Sequence, residues 1–497
     1  MSVNELLGSD NQARLKELAK DTLSAESTLK NLASEDPSSR RDAALIVFDR
    51  ACNKPPTLEN TTLVNALGET LKPPLPRAQE SIDALAWATS AEAALAALWS
   101  LDAEVDQIHD ALLLCVIPYA KARKPWVTMT AASTAERLLD RYRPGEKKQD
   151  FIITGVLERY LRPIFSKSTS AVTAEGRPAL FRESLPPDGG FHAQRASWKD
   201  AGPHIVAVFH WAVEASEPAT MKRHWPLYIP VLVTLVEDAD VAVRQRGIDI
   251  LDRFLATCPA AALRASGIDA VFQESLLPSL LFLPSLTPEA ESVPLLRAAY
   301  RTLLRLALAA DDDDNEARGR KRRALLDKVL REGVLAGYFH ASQHIRVVEV
   351  LMQSAEQIVE ALQVYAVKHL QSLLDLFAPV LTDAFALAHV PAVIAATKAL
   401  NTTILNCWPR IVGTPHAEQI TSIVARCWTN IYDTDHGTGD PEMEALTQEL
   451  KKTMALLASL WKASDEPMPT DKLAQVVQKA PHLKPLFTPF QLEAPIA

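Results

Sequence analysis

Alternating β-branched runs closed by Gly or Asn-Gly turns are nearly absent from this chain, and aromatic residues make up only 6% of it. The usual material of sheets is therefore missing, and an all-α fold follows. The longest apolar stretches, such as ALLLCVIPYA, fall short of the roughly 20 residues that a membrane span needs. The first residues, MSVNELLGSDNQARLKEL, lack the basic-then-apolar pattern of a signal peptide. Together these predict a soluble intracellular protein with no membrane partner. An excess of positive charge is also lacking: the formal net charge is −9, so no nucleic-acid partner is expected. The five cysteines, Cys52, Cys115, Cys258, Cys407 and Cys427, are widely spread without a paired short spacing. They read as reduced residues of apolar helices, not as a disulfide or metal set.

Catalytic patterns are missing too. The chain has no Walker-type loop, no Gly-x-Ser-x-Gly elbow and no His-Glu-x-x-His helix, so no cofactor, no metal and no enzymatic activity are expected. Asp311 to Asp314 open like a calcium loop, but no Gly stands at the sixth place and Arg322 occupies the twelfth. Gly437 and Gly439 lie in the loop DTDHGTGDP between helical flanks, with no preceding strand to make a phosphate cradle. His109-Asp110 and His369 read as surface or satisfied core groups.

What the chain does have is helical periodicity over most of its 497 residues, with 48% hydrophobic and 23% charged residues. That length suggests two to four domains or one elongated array, at roughly 150 residues per domain. Six stretches are distinguished by composition: an N-terminal helical region (1–166), an irregular insert rich in Ser, Thr, Pro and Gly (167–200), central repeats (201–310), a charged linker (311–323), C-terminal helical repeats (324–480) and a proline-rich tail (481–497). The insert carries Arg177, Phe181, Phe191 and Trp198, unusual for a pure spacer, and is open to a docking role or to mobility. Arg318 to Arg323 reads either as a nuclear import signal or, preferred here, as a solvated loop between repeats. The tail, with its prolines, is expected to lie extended over the last repeat.

The centre of the pattern is HWPLYIPVLVTLVEDADVAVRQRGIDILDRFLAT, residues 224–257. Tyr228, Leu232, Leu235 and Val236 line one face of a first helix, which Pro230 is expected to bend. Asp238 and Asp240 close that helix and offer a cap to the next. Val243, Gly247, Ile250 and Phe254, flanked by Arg244, Ile248, Leu251 and Leu255, make a second helix apolar around much of its circumference. Further on, Pro278 falls inside an expected helix, Pro288 suits a first helical turn, and Pro379, Pro391 and Pro409 are expected to cut the C-terminal helices. Near the start, Ser38 or Ser39 is the expected cap of a helix opening at Pro37.

Eight positions separate Pro230 from Asp238 and six separate Asp238 from Arg244, a spacing that resembles a HEAT repeat. An ordinary antiparallel helix pair with a chance proline gives much the same pattern. The resemblance implies an all-α, divergent HEAT-like helical-repeat solenoid, an α-α superhelix, with an Asp–Arg ladder between neighbouring units. His224-Trp225-Pro226, Pro230, Glu237-Asp238, Arg246-Gly247, Gly267-Ile268, Leu283-Pro284-Ser285-Leu286-Thr287-Pro288-Glu289 and Ala299-Tyr300 together look like the Tel-two-interacting protein two family, the smallest subunit of the Triple T (TTT) cochaperone complex. His224, Trp225, Pro230, Asp238, Arg244, Gly247, Pro284, Pro288 and Tyr300 carry this signature and are expected to be architectural.

The resemblance implies a noncatalytic scaffold that works with the two larger subunits of that complex. Indirect partners would be phosphatidylinositol kinase-related kinases and the heat shock protein ninety machinery, supporting kinase maturation and stability in the cytoplasm and also the nucleus. The competing expectation is a HEAT-like adaptor of another kind, in nuclear transport or phosphatase regulation.

Overall fold

The computed structural model describes residues 3–18, 24–53, 60–72, 83–101, 109–121, 126–165, 198–199, 204–309, 316–433 and 440–491. Among these every regular element is helical and none is a strand, as the scarcity of β-type runs predicts. The chain divides into two compact units, one of residues 1–234 with 256–262 and one of residues 235–255 with 263–497. The division falls inside the 224–257 stretch.

In the first unit, helix α1 (Ser9–Leu18), α2 (Pro37–Asn53), α3 (Ala84–Ser100) and α4 (Met129–Tyr142) form a packed group in which α2 and α4 both lie on α3. The composition of α3 explains its place. Ala88, Ala91, Ala93, Ala94, Ala96 and Ala97 let helices approach from more than one side, and residues 87–98 are buried throughout. The cap of α2 is Asp36, not Ser38 or Ser39. Its carboxylate accepts from the Ser38 and Ser39 amides at 3.2 and 2.9 Å and from the Ser39 hydroxyl at 2.7 Å. A carboxylate at a helix N-terminus gains from the helix dipole as well as from the hydrogen bonds, which favours it over serine here.

Glu92 is the polar centre of this unit. Only 3% exposed, it accepts from the Gly8 amide at 2.7 Å, from Asn11 Nδ2 at 2.8 Å and from the Thr128 hydroxyl. Asn11 in turn accepts from Arg41 Nε at 2.6 Å. A buried carboxylate is tolerated because each of these donors satisfies it. Residues 151–161 are π-helical and pack against α5 (Ile205–Ala215). Their Gly155 faces the Phe151 ring so closely that a Cβ would meet it at 2.6 Å.

The insert expected over 167–200 lies outside the described residues, apart from Trp198 and Lys199. Trp198 is buried against Phe165, with ring centroids 5.6 Å apart.

Helix α6 (Ile229–Val236) and helix α7 (Val241–Thr257) are the two halves of the central hairpin. The first corrects one expectation. A 3-10 turn, Trp225–Leu227, precedes α6, so Pro230 is the second residue of a new helix and does not bend an existing one. At that position the missing N–H would have had no partner within the helix anyway.

The second unit continues with α8 (Ile268–Leu276), α9 (Glu289–Leu308), α10 (Glu316–Lys328), α11 (Ile345–Leu362), α12 (Leu370–Thr382), α13 (Val390–Cys407), α14 (Pro415–Asp433) and α15 (Pro441–Lys462). Helix α9 packs on α11, α11 on α13 and α13 on α15, while α12 packs on both α13 and α14. Alternate helices are thus spatial neighbours within this unit.

Pro391 and Pro409 stand at the starts of new segments, as expected of residues that cut the helices, whereas other prolines of this unit differ from expectation. Pro278 is the second residue of a 3-10 segment, Leu277–Leu281, after α8; Pro288 caps α9 from outside, and α12 continues through Pro379. Burial of Phe377, Val380 and Leu381 holds that helix together where local propensity alone would break it.

Two other sequence expectations change. The basic run 318–323 is helical, part of α10, and its end is engaged: Arg322 donates to the Ala361 carbonyl at 3.0 Å and Arg323 lies 4.2 Å over the Tyr365 ring. Asp311 to Asp314 lie outside the described residues, as do residues 434–439 of the glycine-bearing loop and 492–497 of the tail. What is described of the tail forms 3-10 turns at Pro481–Leu483 and Thr488–Phe490, burying Leu486, Phe487 and Phe490.

One segment, Ala384–Arg410, is long and apolar enough to cross a membrane by length and composition, an exception to the sequence expectation. Its apolar window is 61% buried among the other helices of the unit, which accounts for its composition.

Candidate functional site

The signature residues converge first at the α6–α7 turn. Just beyond the end of α6, the Glu237 and Asp238 carbonyls lack the partners that a further helical turn would supply. Arg244, one turn into α7 and 7% exposed, supplies them. Its Nε donates to the Asp238 carbonyl at 2.8 Å and its Nη2 to the Glu237 carbonyl at 3.1 Å. Its remaining Nη1 donates to Ser279 Oγ at 3.2 Å, and the guanidinium lies 4.6 Å over the Phe282 ring. A planar fork of donors suits this position, since one charge can serve two carbonyls, a hydroxyl and an aromatic face together.

The acidic residues of the turn are used as well. Asp238 accepts from the Asp240 amide at 2.8 Å, and Asp240 caps α7 by accepting from the Val243 amide at 3.0 Å, as its position after the first helix predicts. Glu237 accepts from the Ser275 hydroxyl at 2.8 Å. The turn is thereby fastened to α8 and to the 3-10 segment that follows it. Gly247 completes the arrangement, for its position against Leu235 leaves no room for a Cβ.

The other signature residues fall elsewhere. His224 ends a short helix, Pro218–His224, and Trp225 opens the 3-10 turn; both are half-buried, while Pro230 is buried. Tyr300 is buried in α9 beside Gly333, whose missing Cβ would stand 3.0 Å from the Tyr300 hydroxyl and 2.8 Å from Leu280. Gly333 belongs to a second π-helical stretch, Val329–Leu335. Pro284 and Pro288 bracket the turn before α9, half-buried and exposed respectively. In that turn Ser292 donates to the Phe282 carbonyl at 2.6 Å and Thr287 is buried, so the turn is well fixed.

Between neighbouring alternate helices the charged cross-links are made by residues that the signature does not include. Arg301 donates to Asp249 at 2.7 Å and Arg305 to Asp252 at 2.6 Å, joining α7 to α9. Arg297 approaches Glu349 of α11 at 3.9 Å. Farther along, Asn401 of α13 donates to Glu449 of α15 at 2.9 Å. Burial holds the nearby Glu356 carboxyl above its usual range, with Lys398 opposing. Partners some fifty positions apart give no local sequence pattern, so spacing within one hairpin could not reveal them.

A second feature emerges along the turns of the second unit. Leu286, in the turn before α9, is 91% exposed; Phe339, in a short helix, Ala336–Ala341, that precedes α11, is 81% exposed; Phe385, in the 3-10 helix Ala384–His389 before α13, is 89% exposed. Tyr432, at the end of α14, is 67% exposed and stacks on His482 with centroids 4.7 Å apart.

Hydrogen bonds show that these turns are neighbours. His344 Nδ1 lies 3.1 Å from Glu289 Oε2, linking the second turn to the first. His389 Nε2 lies 2.9 Å from Glu349 Oε2, linking the segment before α13 to α11 itself. Asn430 donates to the Thr382 carbonyl at 3.1 Å, linking the end of α14 to the end of α12.

Among the described residues no group of three or more His, Cys, Asp or Glu side chains is arranged to hold a metal ion. His369 lies 2.8 Å from Asp327 in a paired, buried setting, and Asp110 accepts from Arg143 at 2.9 Å. All five cysteines are free thiols; Cys52 is exposed, whereas burial pushes Cys258, Cys407 and Cys427 up to about 12. One open depression in the first unit, of about 290 Å³, is lined by Cys52, Ser100 and Arg141 among apolar side chains, and brings together no acid–base pair.

The family model described as the Tti2 family matches residues 112–388. That span takes in the Arg244 turn, Gly247, Pro284, Pro288, Tyr300, Leu286, Phe339 and Phe385.

Proposed function

This chain belongs to the Tti2 family, and from that premise we propose that it is a noncatalytic scaffold subunit of the TTT cochaperone complex. Its direct partners are then the two larger subunits of that complex. Its indirect ones are phosphatidylinositol kinase-related kinases and the heat shock protein ninety machinery, whose joint work is kinase maturation and stability. On this reading the protein acts by surface area, holding large helical partners without making or breaking a bond, in the cytoplasm and also in the nucleus.

The match over 112–388, more than half of the chain, carries the proposal. The packing of alternate helices in the second unit supports a HEAT-like repeat arrangement within it. The Arg244 turn supports an architectural role for the signature residues, since Asp238, Arg244 and Gly247 are occupied with their own fold.

The test is affinity purification of the full chain from native cells at endogenous level, read by mass spectrometry. Co-recovery of the two larger TTT subunits is the expected result. Consistent recovery without them, with transport or phosphatase components instead, would move the chain to the competing adaptor role.

A further inference from the structure

The proline-rich segment after the last long helices packs in the manner of a bound peptide. Leu483, Leu486, Phe487 and Phe490 are buried, whereas Pro481, Lys484, Pro485 and Thr488 among them face solvent. Apolar anchors at i, i+3, i+4 and i+7 are the pattern with which an amphipathic segment fills a hydrophobic groove.

Helices α14 and α15 supply that groove. The turn Pro481–Leu483 lies on α14 and the turn Thr488–Phe490 on α15. Phe490 meets the Trp461 ring edge-on, with centroids 5.8 Å apart, and Phe487 packs on Phe490 at 6.4 Å. At the other end the Trp428 indole donates to the His482 carbonyl at 3.0 Å, and His482 Nε2 lies 3.0 Å from Thr429 Oγ1.

Side chains carry this attachment. The backbone bonds of the segment run between its own residues: the amides of Leu483, Lys484, Leu486 and Phe490 donate to carbonyls three positions back, at 3.0 to 3.1 Å. Bonds of this 3-10 type have poorer geometry than those of an α-helix, and a segment held by side chains opens without the rest of its unit. The helix before it, Thr470–Lys479, is tied to α14 by Lys472 and Glu418 at 2.8 Å, an exposed pair that adds little.

Its sequence suits a ligand. Pro481, Pro485 and Pro489 recur at every fourth residue. Each fixes its own φ, so the free segment has less freedom to lose on docking.

We infer that the α14–α15 face is a peptide-binding groove and that residues 481–490 are its ligand, held in cis. The ligand class is a short segment with large apolar residues at i, i+3, i+4 and i+7, the last of them an aromatic against Trp461. A tethered ligand is present at about millimolar effective concentration, so the docked segment masks the groove and its opening frees it. Groove and ligand are the same whichever complex the chain enters.

A fluorescent peptide of residues 480–491, added to the full-length protein, tests this. Phe487→Ser and Phe490→Ser, made together in the full chain, unseat the segment and leave α14 and α15 untouched. This variant should bind the peptide at least about tenfold more tightly than the wild type, whose own segment competes. A peptide carrying the same two serines should not bind.

Equal binding of the wild-type peptide to both proteins, or binding to neither, overturns the inference. Should the variant fail to fold, hydrogen exchange of the wild-type chain decides instead. The Leu483, Leu486 and Phe490 amides should then exchange at least about tenfold faster than the buried amides of α14 and α15. Exchange of all of them at one common rate makes the segment part of the core and ends the inference.

Discussion

Gly247 lies so close to Leu235 that a Cβ on it would stand 2.7 Å from both the Leu235 carbonyl carbon and its Cβ. Replacing a helical glycine by alanine ordinarily stabilises by up to about 1 kcal/mol. Here the neighbour is backbone and cannot swing aside. Gly247→Ala is therefore expected to destabilise by about 1–3 kcal/mol, the range for overpacking a filled site. Urea unfolding followed by circular dichroism reads the sign directly; a stabilised variant would show that the α6–α7 contact is looser than described.

Arg244 offers a separate prediction. Arg244→Ala leaves the Glu237 and Asp238 carbonyls and Ser279 without their donor and uncovers Phe282, with an expected loss of about 3 kcal/mol. Arg244→Lys should recover only a minor part, because one ammonium cannot reproduce the fork. The effect should appear as lowered stability with partner association retained wherever the variant remains folded. Normal thermal stability with lost association would instead make Arg244 a contact residue.

Glu92 ties the start of the chain to α3 and α4. Glu92→Ala takes the carboxylate acceptor from the Gly8 amide and one bond each from Asn11 and Thr128, which keep Thr89, Arg41 and Ala131 as partners; the expected cost of about 1–3 kcal/mol falls on residues 3–18 more than on the rest. Hydrogen–deuterium exchange should show these residues losing protection first. Uniform exchange across the first unit would contradict that local role.

How much of this was legible beforehand depends on the range of the interaction. The all-helical class and the Asp240 cap rest on contacts within a few residues, and composition or spacing exposes those. The role of Pro230 turns on Pro226, which opens the 3-10 turn that restarts the chain just before it; periodicity alone runs one helix through both prolines. Pro379 misled in the opposite direction, since the burial around it outweighs one lost hydrogen bond. Asp36 was overlooked beside two serines, although charge at a helix start favours it. The Arg301–Asp249 and Arg305–Asp252 pairs depend on which hairpins become neighbours, and only folding decides that.

His204 supplies a pH prediction. Its Nε2 lies 2.9 Å from the Tyr160 hydroxyl, and burial, reinforced by Lys72, holds its pKa below the ordinary histidine value. A histidine with a lowered folded pKa is taken up neutral, so its contribution is complete above the unfolded pKa of about 6.5. Below that the unfolded chain binds the proton first, and stability falls as pH drops toward the folded pKa. Between pH 7 and pH 5 the wild type should lose more stability than His204→Gln. Parallel stability curves for the two proteins across that interval would refute the assignment.

The free thiols give the molecule a built-in clock. Cys258 belongs to the first unit, Cys407 and Cys427 to the second, and all three are buried, with thiols that burial keeps protonated. A thiol in that state reacts with an alkylating reagent only when its surroundings open, because the thiolate is the nucleophile. Cys52, exposed, reacts without waiting. The order in which these sulfurs become labelled is therefore a record of which unit breathes first, written by the unmodified protein itself.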